Sequence, residues 1–287
     1  YLNTARISRK LPISRPFITP TALAFQVLKD FASARREQLP EPVLLTGSQE
    51  DARIHELLSQ VDAPWPEYIG SEVRQTDYFC SEIRTLFAAC AHWDISAQRL
   101  DELGRELAVP EWQAAAVLLS QYEPSFKDNS WDAARMQDRA GQVLGGWEQD
   151  AALLSPPQLP EWVVVDDLQD CPASTVRLLT EMGKRGTKIF ALYNPDVAVE
   201  TFRGGYPQGG SYLAEQLNCP QVTLEESFRE TSGGLQLTDP LSHQVECDSA
   251  REQKFAEFST VSSQARAIAE YLRYQHLTRQ VPWAEMA

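Results

Sequence analysis

The sequence has no run of about 18 apolar residues that would span a membrane. Its N-terminus, Tyr1-Leu2-Asn3, carries neither an apolar signal core nor an initiator methionine. A membrane-embedded or exported protein is not expected. Both ends read as cut from a longer chain, since Val281-Pro282-Trp283-Ala284-Glu285-Met286-Ala287 has no terminal character either. The cysteines, Cys80, Cys90, Cys171, Cys219 and Cys247, are odd in number and widely spaced, with no CxxC pair and no clustered histidine. A disulfide framework and a zinc site are therefore not expected, and a reducing cytoplasm suits the chain. Internal repeats and low-complexity tracts are missing as well. What is present is 43% hydrophobic content over 287 residues, enough to bury the core of one large domain or two ordinary ones.

Basic residues are outnumbered, 26 to 40, for a net charge of -14. Taken alone, that argues against a general nucleic-acid-binding surface. The distribution is uneven, however. Residues 1–40 hold Arg6, Arg9, Lys10, Arg15, Lys29, Arg35 and Arg36 against only Asp30 and Glu37, so that stretch is +5 and the remainder -19. Such a strip can bind phosphates on an acidic protein; a solvated helix face is the other reading.

Apolar periodicity divides the chain. Ala24, Val27, Leu28 and Phe31 recur at helical spacing within Thr21–Ala34, which Pro40 and Pro42 close off. Helices are expected over Asp51–Gln60, along the stripe Phe79, Ile83, Leu86, Phe87 and Cys90, and through Leu100, Leu103 and Leu107 behind Ser96 as N-cap. Another should open at Pro110 and run through Trp112 to Tyr122, since proline is tolerated in a first turn. Residues 20–150 thus read as mostly helical. Pro156-Pro157-Gln158-Leu159-Pro160 is a stiff break, after which short apolar runs alternate with helices. Trp162–Val165 reads as a buried strand, Ala173–Lys184 as a helix, Thr187–Tyr193 and Gln221–Leu224 as strands. A last strand at Phe255–Thr260 and a helix at Ser263–Gln275 would open another α/β unit. The Gly-rich stretch Gly204–Gly210 reads as a surface excursion, lacking a preceding strand and a lysine followed by Ser or Thr.

The most informative segment is Val163-Val164-Val165-Asp166-Asp167-Leu168-Gln169-Asp170, a β-branched strand that runs into an acidic turn. In nucleotide hydrolysis an Asp at a strand end holds Mg²⁺, usually through water, and a neighbouring carboxylate orients and deprotonates the attacking water. Asp166 would hold the metal and Asp167 would serve as base. The plainer alternative is a pair of turn and cap residues for the next helix.

Further motifs follow in order. Asp166–Asp170 is similar to the DExQD box of UvrD-like superfamily-1 DNA helicases, and Phe190 to Gly205, with Phe202-Arg203-Gly204 at its core, resembles their motif III. Leu224-Glu225-Glu226-Ser227-Phe228-Arg229-Glu230-Thr231 resembles motif IV, and Thr19-Pro20-Thr21-Ala22-Leu23-Ala24-Phe25 motif Ib. Phe79–Arg84, Leu103-Gly104-Arg105 and Pro110-Glu111-Trp112 are similar to the inserted domain of actinobacterial helicase-nuclease subunits of the AdnA/AdnB type.

The resemblance implies an α/β fold: a RecA-like, P-loop NTPase type parallel-sheet core with a large all-helical inserted domain. Residues 1–20 would be a remnant of the first RecA-like domain, 21–158 the helical insert, 159–230 the first RecA-like domain proper, and 231–287 the start of the second. It implies a 3′-to-5′ DNA translocase acting in repair or recombination, with Mg²⁺ and ATP as cofactors. Single-stranded DNA, and a second helicase-nuclease subunit, would be its partners. Asp166 matches the magnesium residue and Asp167 the catalytic acid, while Gln169 and Asp170 link that site to neighbouring elements. Arg229 matches the arginine that reaches the γ-phosphate, Phe202 an aromatic that stacks on a base, and Arg203 and Thr19 DNA contacts. A core aromatic at Phe202 and a surface salt bridge at Arg229 are the plainer alternatives.

Departures run alongside. Asp167 stands where a glutamate is usual, Val197 where a glutamine senses the γ-phosphate, Glu200 in place of a tyrosine, and Thr21 and Ala22 in place of His and Ser. Nowhere does GxxxxGK precede Ser or Thr, so the nest of N–H groups and the lysine that hold nucleotide phosphates are absent from these residues. The chain alone is therefore expected to be inactive, with its P-loop and some sheet strands supplied upstream. Two rivals remain: a non-catalytic motor subunit serving as a DNA-binding or partner-binding scaffold, and an unrelated metal-dependent hydrolase using Asp166, Asp167 and Asp196.

Overall fold

A computed structural model describes residues 17–37, 39–126, 129–224 and 258–286. Of these, 61% are helical, with two small parallel two-stranded sheets, a mixture of α and β. Two compact units are distinguished, one ending at Gln221 and one beginning at Val222.

Local signals set the helix starts. In α1 (Pro20–Ala34) the Thr19 hydroxyl accepts from the Ala22 N–H at 3.2 Å, and Pro20 occupies the first turn where its missing N–H costs nothing. The segment Gly47–Gln60 forms α2, then come α3 (Ser71–Arg74) and α4 (Asp77–Trp93), capped by Thr76. Ser96 caps α5 (Ala97–Glu106) through the Arg99 N–H at 3.2 Å, as expected, and Pro110 opens α6 (Pro110–Tyr122).

These helices close on a core of Ile54, Cys80, Ile83, Phe87, Cys90, Leu100, Leu118, Leu119 and Tyr122. A second core joins α1 to α7 (Ala133–Gly145) and α8 (Ala173–Lys184), taking Leu28, Phe31, Met136, Leu144, Leu168, Val176 and Leu178. The packing thus groups α1 and α7 with the strands that follow Pro160, although both lie inside the expected helical insert of 21–158. Strand β1 (Val43–Leu44) pairs in parallel with β2 (Ser130–Trp131), a contact that no run of apolar residues announced.

Strand β3 (Trp162–Val165) runs parallel to β4 (Lys188–Ala191), with α8 as the crossover and Val165 opposite Ala191. Val163, Val165, Ile189 and Ala191 face the helices. Trp162, Val164 and Phe190 point the other way and are 58%, 69% and 56% exposed. The expectation of a strand buried on both faces is therefore corrected: among the described residues, helices pack on one face only.

Two further expectations are revised. Gln221–Leu224 is not a strand, nor are Phe258–Thr260, while 255–257 lie outside the described residues. The Gly-rich stretch is not a surface excursion. Gly205, Gly209 and Gly210 are buried, and the last two begin α9 (Gly209–Leu217). A Cβ on Gly210 would run into the Tyr193 ring, and one on Gly209 would come within 2.9 Å of Val176, so the glycines let a helix approach closely.

In the second unit, α10 (Val261–Arg279) extends the helix expected at Ser263–Gln275, with Thr260 as its cap. None of its residues is buried.

Candidate functional site

The acidic turn begins where β3 ends. Asp166 is exposed, and its Oδ1 accepts the Asp167 N–H at 3.1 Å. Asp167 has φ 51°, a left-handed conformation that Asp adopts more readily than most residues. The fully buried Leu168 then anchors the turn, its N–H donating to the Leu192 carbonyl at 3.0 Å. This geometry leaves both carboxylates in solvent at the C-terminal end of a parallel strand.

The next two side chains are tied elsewhere. Gln169 is 3% exposed; its Nε2 donates to Asp167 Oδ1 at 3.1 Å and to Asp170 Oδ2 at 3.3 Å, and its Oε1 accepts the Asn194 N–H at 2.9 Å. Asp170 Oδ1 accepts the N–H groups of Val199 and Glu200 at 2.8 and 3.0 Å. These charge-assisted bonds fix the loop after β4 relative to the acidic turn. Next in the chain, burial, then the charges of Asp170 and Asp167, push the Cys171 thiol up to about 11, which disfavours the thiolate at neutral pH.

The tethered loop carries Phe202, 71% exposed, on a turn spanning Thr201–Arg203. It is not a core aromatic. The Arg203 guanidinium lies 5.2 Å from the centre of its ring and 3.4 Å from the Glu200 carboxylate. Val197 is 57% exposed. Gly204 follows at φ +88°, where a side chain would be strained.

Other candidates are scattered. The Thr19 hydroxyl is spent on capping α1. Within the basic strip, Lys29 pairs with Glu41 at 3.1 Å and Arg35 with Asp150 at 2.6 Å, so both are neutralised. Arg6, Arg9, Lys10, Arg15 and Arg229 lie outside the described residues, as does the motif IV resemblance beyond Leu224.

Asp166 and Asp167 offer hard oxygen donors and form no ion pair among the described residues, which suits a largely hydrated Mg²⁺ held by one or two carboxylates. No group of three His, Cys, Asp or Glu able to hold a metal occurs among the described residues. The hydrolase rival, which needs Asp166, Asp167 and Asp196 around one metal, therefore has no geometry here. ATP fits less well than the metal, because these residues supply no phosphate cradle.

Sequence reasoning missed one feature beside the site. Residues far apart in the chain join α4 to α8: His92 Nδ1 lies 2.7 Å from Ser174 Oγ, and Arg177 donates to the carbonyls of His92 and Ala91 at 2.7 and 3.1 Å while pairing with Asp138 at 2.6 Å. Buried Gln137 extends the joint, bonding to Ser174, Thr175 and Thr21. No motif marks such a contact, since each residue alone is an ordinary helical polar group.

Compared with known proteins, the chain matches no family model and no curated protein sequence. Among the described residues, no helix is long and apolar enough to cross a membrane.

Proposed function

We propose that this chain supplies the magnesium-binding acidic turn and a strand-contacting loop of an ATP-dependent DNA motor of the UvrD-like kind, built on a RecA-like core. The observation that carries the reading is the wiring from Gln169 and Asp170 to Asn194, Val199 and Glu200, which joins two exposed carboxylates to an exposed aromatic-arginine pair. A motor needs such a link, because a change at the nucleotide has to reach a surface that grips DNA.

Asp166 would hold the ion through water, and Asp167, with one oxygen engaged by Gln169, has the other available to orient a water. Bound Mg²⁺ would neutralise phosphate charge. Phe202 would stack on a base irrespective of sequence, with Arg203 beside it for the backbone. The motor reading extends to 3′-to-5′ travel on single-stranded DNA, action in repair or recombination in the cytoplasm, and a second helicase-nuclease subunit as partner.

The scaffold reading retains one specific support: Val197, at the place of a phosphate-sensing glutamine, has no hydrogen-bonding side chain. Under either reading the 287-residue chain shows only background ATP hydrolysis, with or without DNA. Fluorescence anisotropy with oligo-dT tests the shared DNA half. Phe202→Ala should lose about 1–3 kcal/mol of binding with an unchanged salt slope. Wild-type binding by that variant at every salt concentration, or ATP turnover abolished by Asp167→Ala, would sink the proposal as stated.

A further inference from the structure

The Phe202–Arg203 loop is held at its beginning by Asp170, but its end rests on a different part of the molecule. Gly204 lies against α4: a Cβ added there would meet His92 Cδ2 at 3.2 Å and Pro172 Cβ at 3.8 Å. Two residues on, the Tyr206 ring meets Trp93 edge to face, with centroids 5.1 Å apart at 73°. Tyr206 N–H also donates to the Cys171 carbonyl at 2.9 Å, and Gly205 bridges to Pro172.

His92 and Trp93 are the last two residues of α4, and their position is fixed from both sides. Cys80, Ile83, Phe87 and Cys90 hold the helix in the helical core. At its C-terminal end, the His92 carbonyl accepts from Arg177, as does the Ala91 carbonyl, which the Asp94 N–H reaches only at 3.4 Å. The His92 ring is fixed by Ser174. The end of the helix is therefore a fixed seat.

We propose that His92 and Trp93 are positioning residues for the Phe202–Arg203 loop: they seat its Gly204–Tyr206 end, so that the helical segment sets the posture in which Phe202 meets DNA. This rests on the DNA reading given above for the loop. Gly204 is required on two counts, its positive φ and the nearness of the imidazole. Trp93 is the better probe, since it is 44% exposed and its removal opens no cavity in the core.

The test is made on the whole chain, with hydrogen–deuterium exchange at the amides of Gly204, Gly205 and Tyr206 read beside oligo-dT affinity. Trp93→Ala should speed exchange at those amides and weaken oligo-dT binding about 2- to 10-fold, the range of one aromatic pair. Trp93→Phe, which keeps a ring against Tyr206, should restore both. Gly204→Ala should reproduce the Trp93→Ala behaviour with far-UV circular dichroism unchanged. Unaltered exchange in Trp93→Ala overturns the proposal. So does faster exchange with unaltered affinity, if Phe202→Ala does lose affinity. Should Phe202→Ala bind as the parent does, the DNA reading falls, and the exchange result alone then upholds or overturns the seat.

Discussion

The helical segment from Gly47 to Tyr122 and the α/β segment from Trp162 to Leu217 differ in where they leave charged and apolar groups exposed. The first packs around one core of its own. Its surface charges find one another, as Arg99 does with Glu102 and Glu106, and Arg84 with Asp51. The second leaves Trp162, Val164 and Phe190 outward on one sheet face, and puts two exposed carboxylates, without an ion pair among the described residues, and an exposed phenylalanine at one end. Exposed aromatics occur in both segments, Tyr68 and Tyr78 of the first being 69% and 76% exposed. What sets the α/β segment apart is that Asp166, Asp167, Phe202 and Arg203 all stand beyond the C-terminal ends of its two parallel strands.

The sharpest way to break the comparison is to ask whether the two segments are separate at all. Phe87 is 1% exposed, packs 5.0 Å from Tyr122, and its carbonyl accepts from Arg135 of α7, so the cores are linked through that helix. Phe87→Ala should cost about 3–5 kcal/mol. Urea denaturation followed by circular dichroism should still show one transition for the unit that ends at Gln221. Two transitions, with only one displaced, would mean that the segments fold independently.

A smaller effect takes opposite signs where the helical segment meets the α/β segment and where it does not. Burial draws the His92 imidazole, at the joint, down to about 4, so the unfolded chain takes up its proton first and stability is lost as pH falls from 6.5 towards 4. Burial, then the Asp132 carboxylate, pushes Glu50 of the helical segment up to about 7. Here the folded state holds the proton, and its contribution is present below pH 4.5 and lost as pH rises through 7. The two therefore oppose each other between pH 4.5 and 6.5. Relative to the parent, His92→Asn should remove an acid loss of up to about 3 kcal/mol, and Glu50→Gln an acid gain. Denaturation midpoints across that range measure both, and a same-sign response would contradict the assignment.

The least effect belongs to Arg203. If it contacts a phosphate, Arg203→Ala should flatten the salt dependence of oligo-dT binding by about 0.7, whereas Phe202→Ala lowers affinity without changing the slope. Equal slopes for parent and Arg203→Ala would confine the guanidinium to its place over the Phe202 ring.

Much of the fold could be read locally. Helix starts at Ala97 and Pro110 follow from a cap or a proline, which act within one turn of chain. The extent of Ala173–Lys184 follows from its apolar period, and β3 and β4 from their β-branched and aromatic runs. The strand expected at Gln221–Leu224 fails for a physical reason: a short apolar run becomes a strand only where a neighbouring edge pairs with it. The same dependence on distant partners hid the pairing of Val43–Leu44 with Ser130–Trp131. At the site, a strand running into acids marked Asp166 and Asp167 as a local pattern, whereas Phe202 and Arg203 were singled out only through the resemblance to motif III.

By itself, then, the sequence determined the longer helices between residues 21 and 122 and over Ala173–Lys184, the two-strand crossover and the residue types at the acidic turn, since caps, prolines, periodicity and β-branching act over a few residues; Ala133–Gly145 and Gly209–Leu217 were not singled out as helices. Only the tertiary structure decided that Gln169 and Asp170 reach the loop after β4, that Phe202 stays in solvent, that the glycines of 204–210 pack rather than protrude, and that His92 and Trp93 end beneath that loop. Those outcomes depend on which distant groups fill one another's hydrogen bonds and space, and side-chain identity along the chain does not encode them one residue at a time.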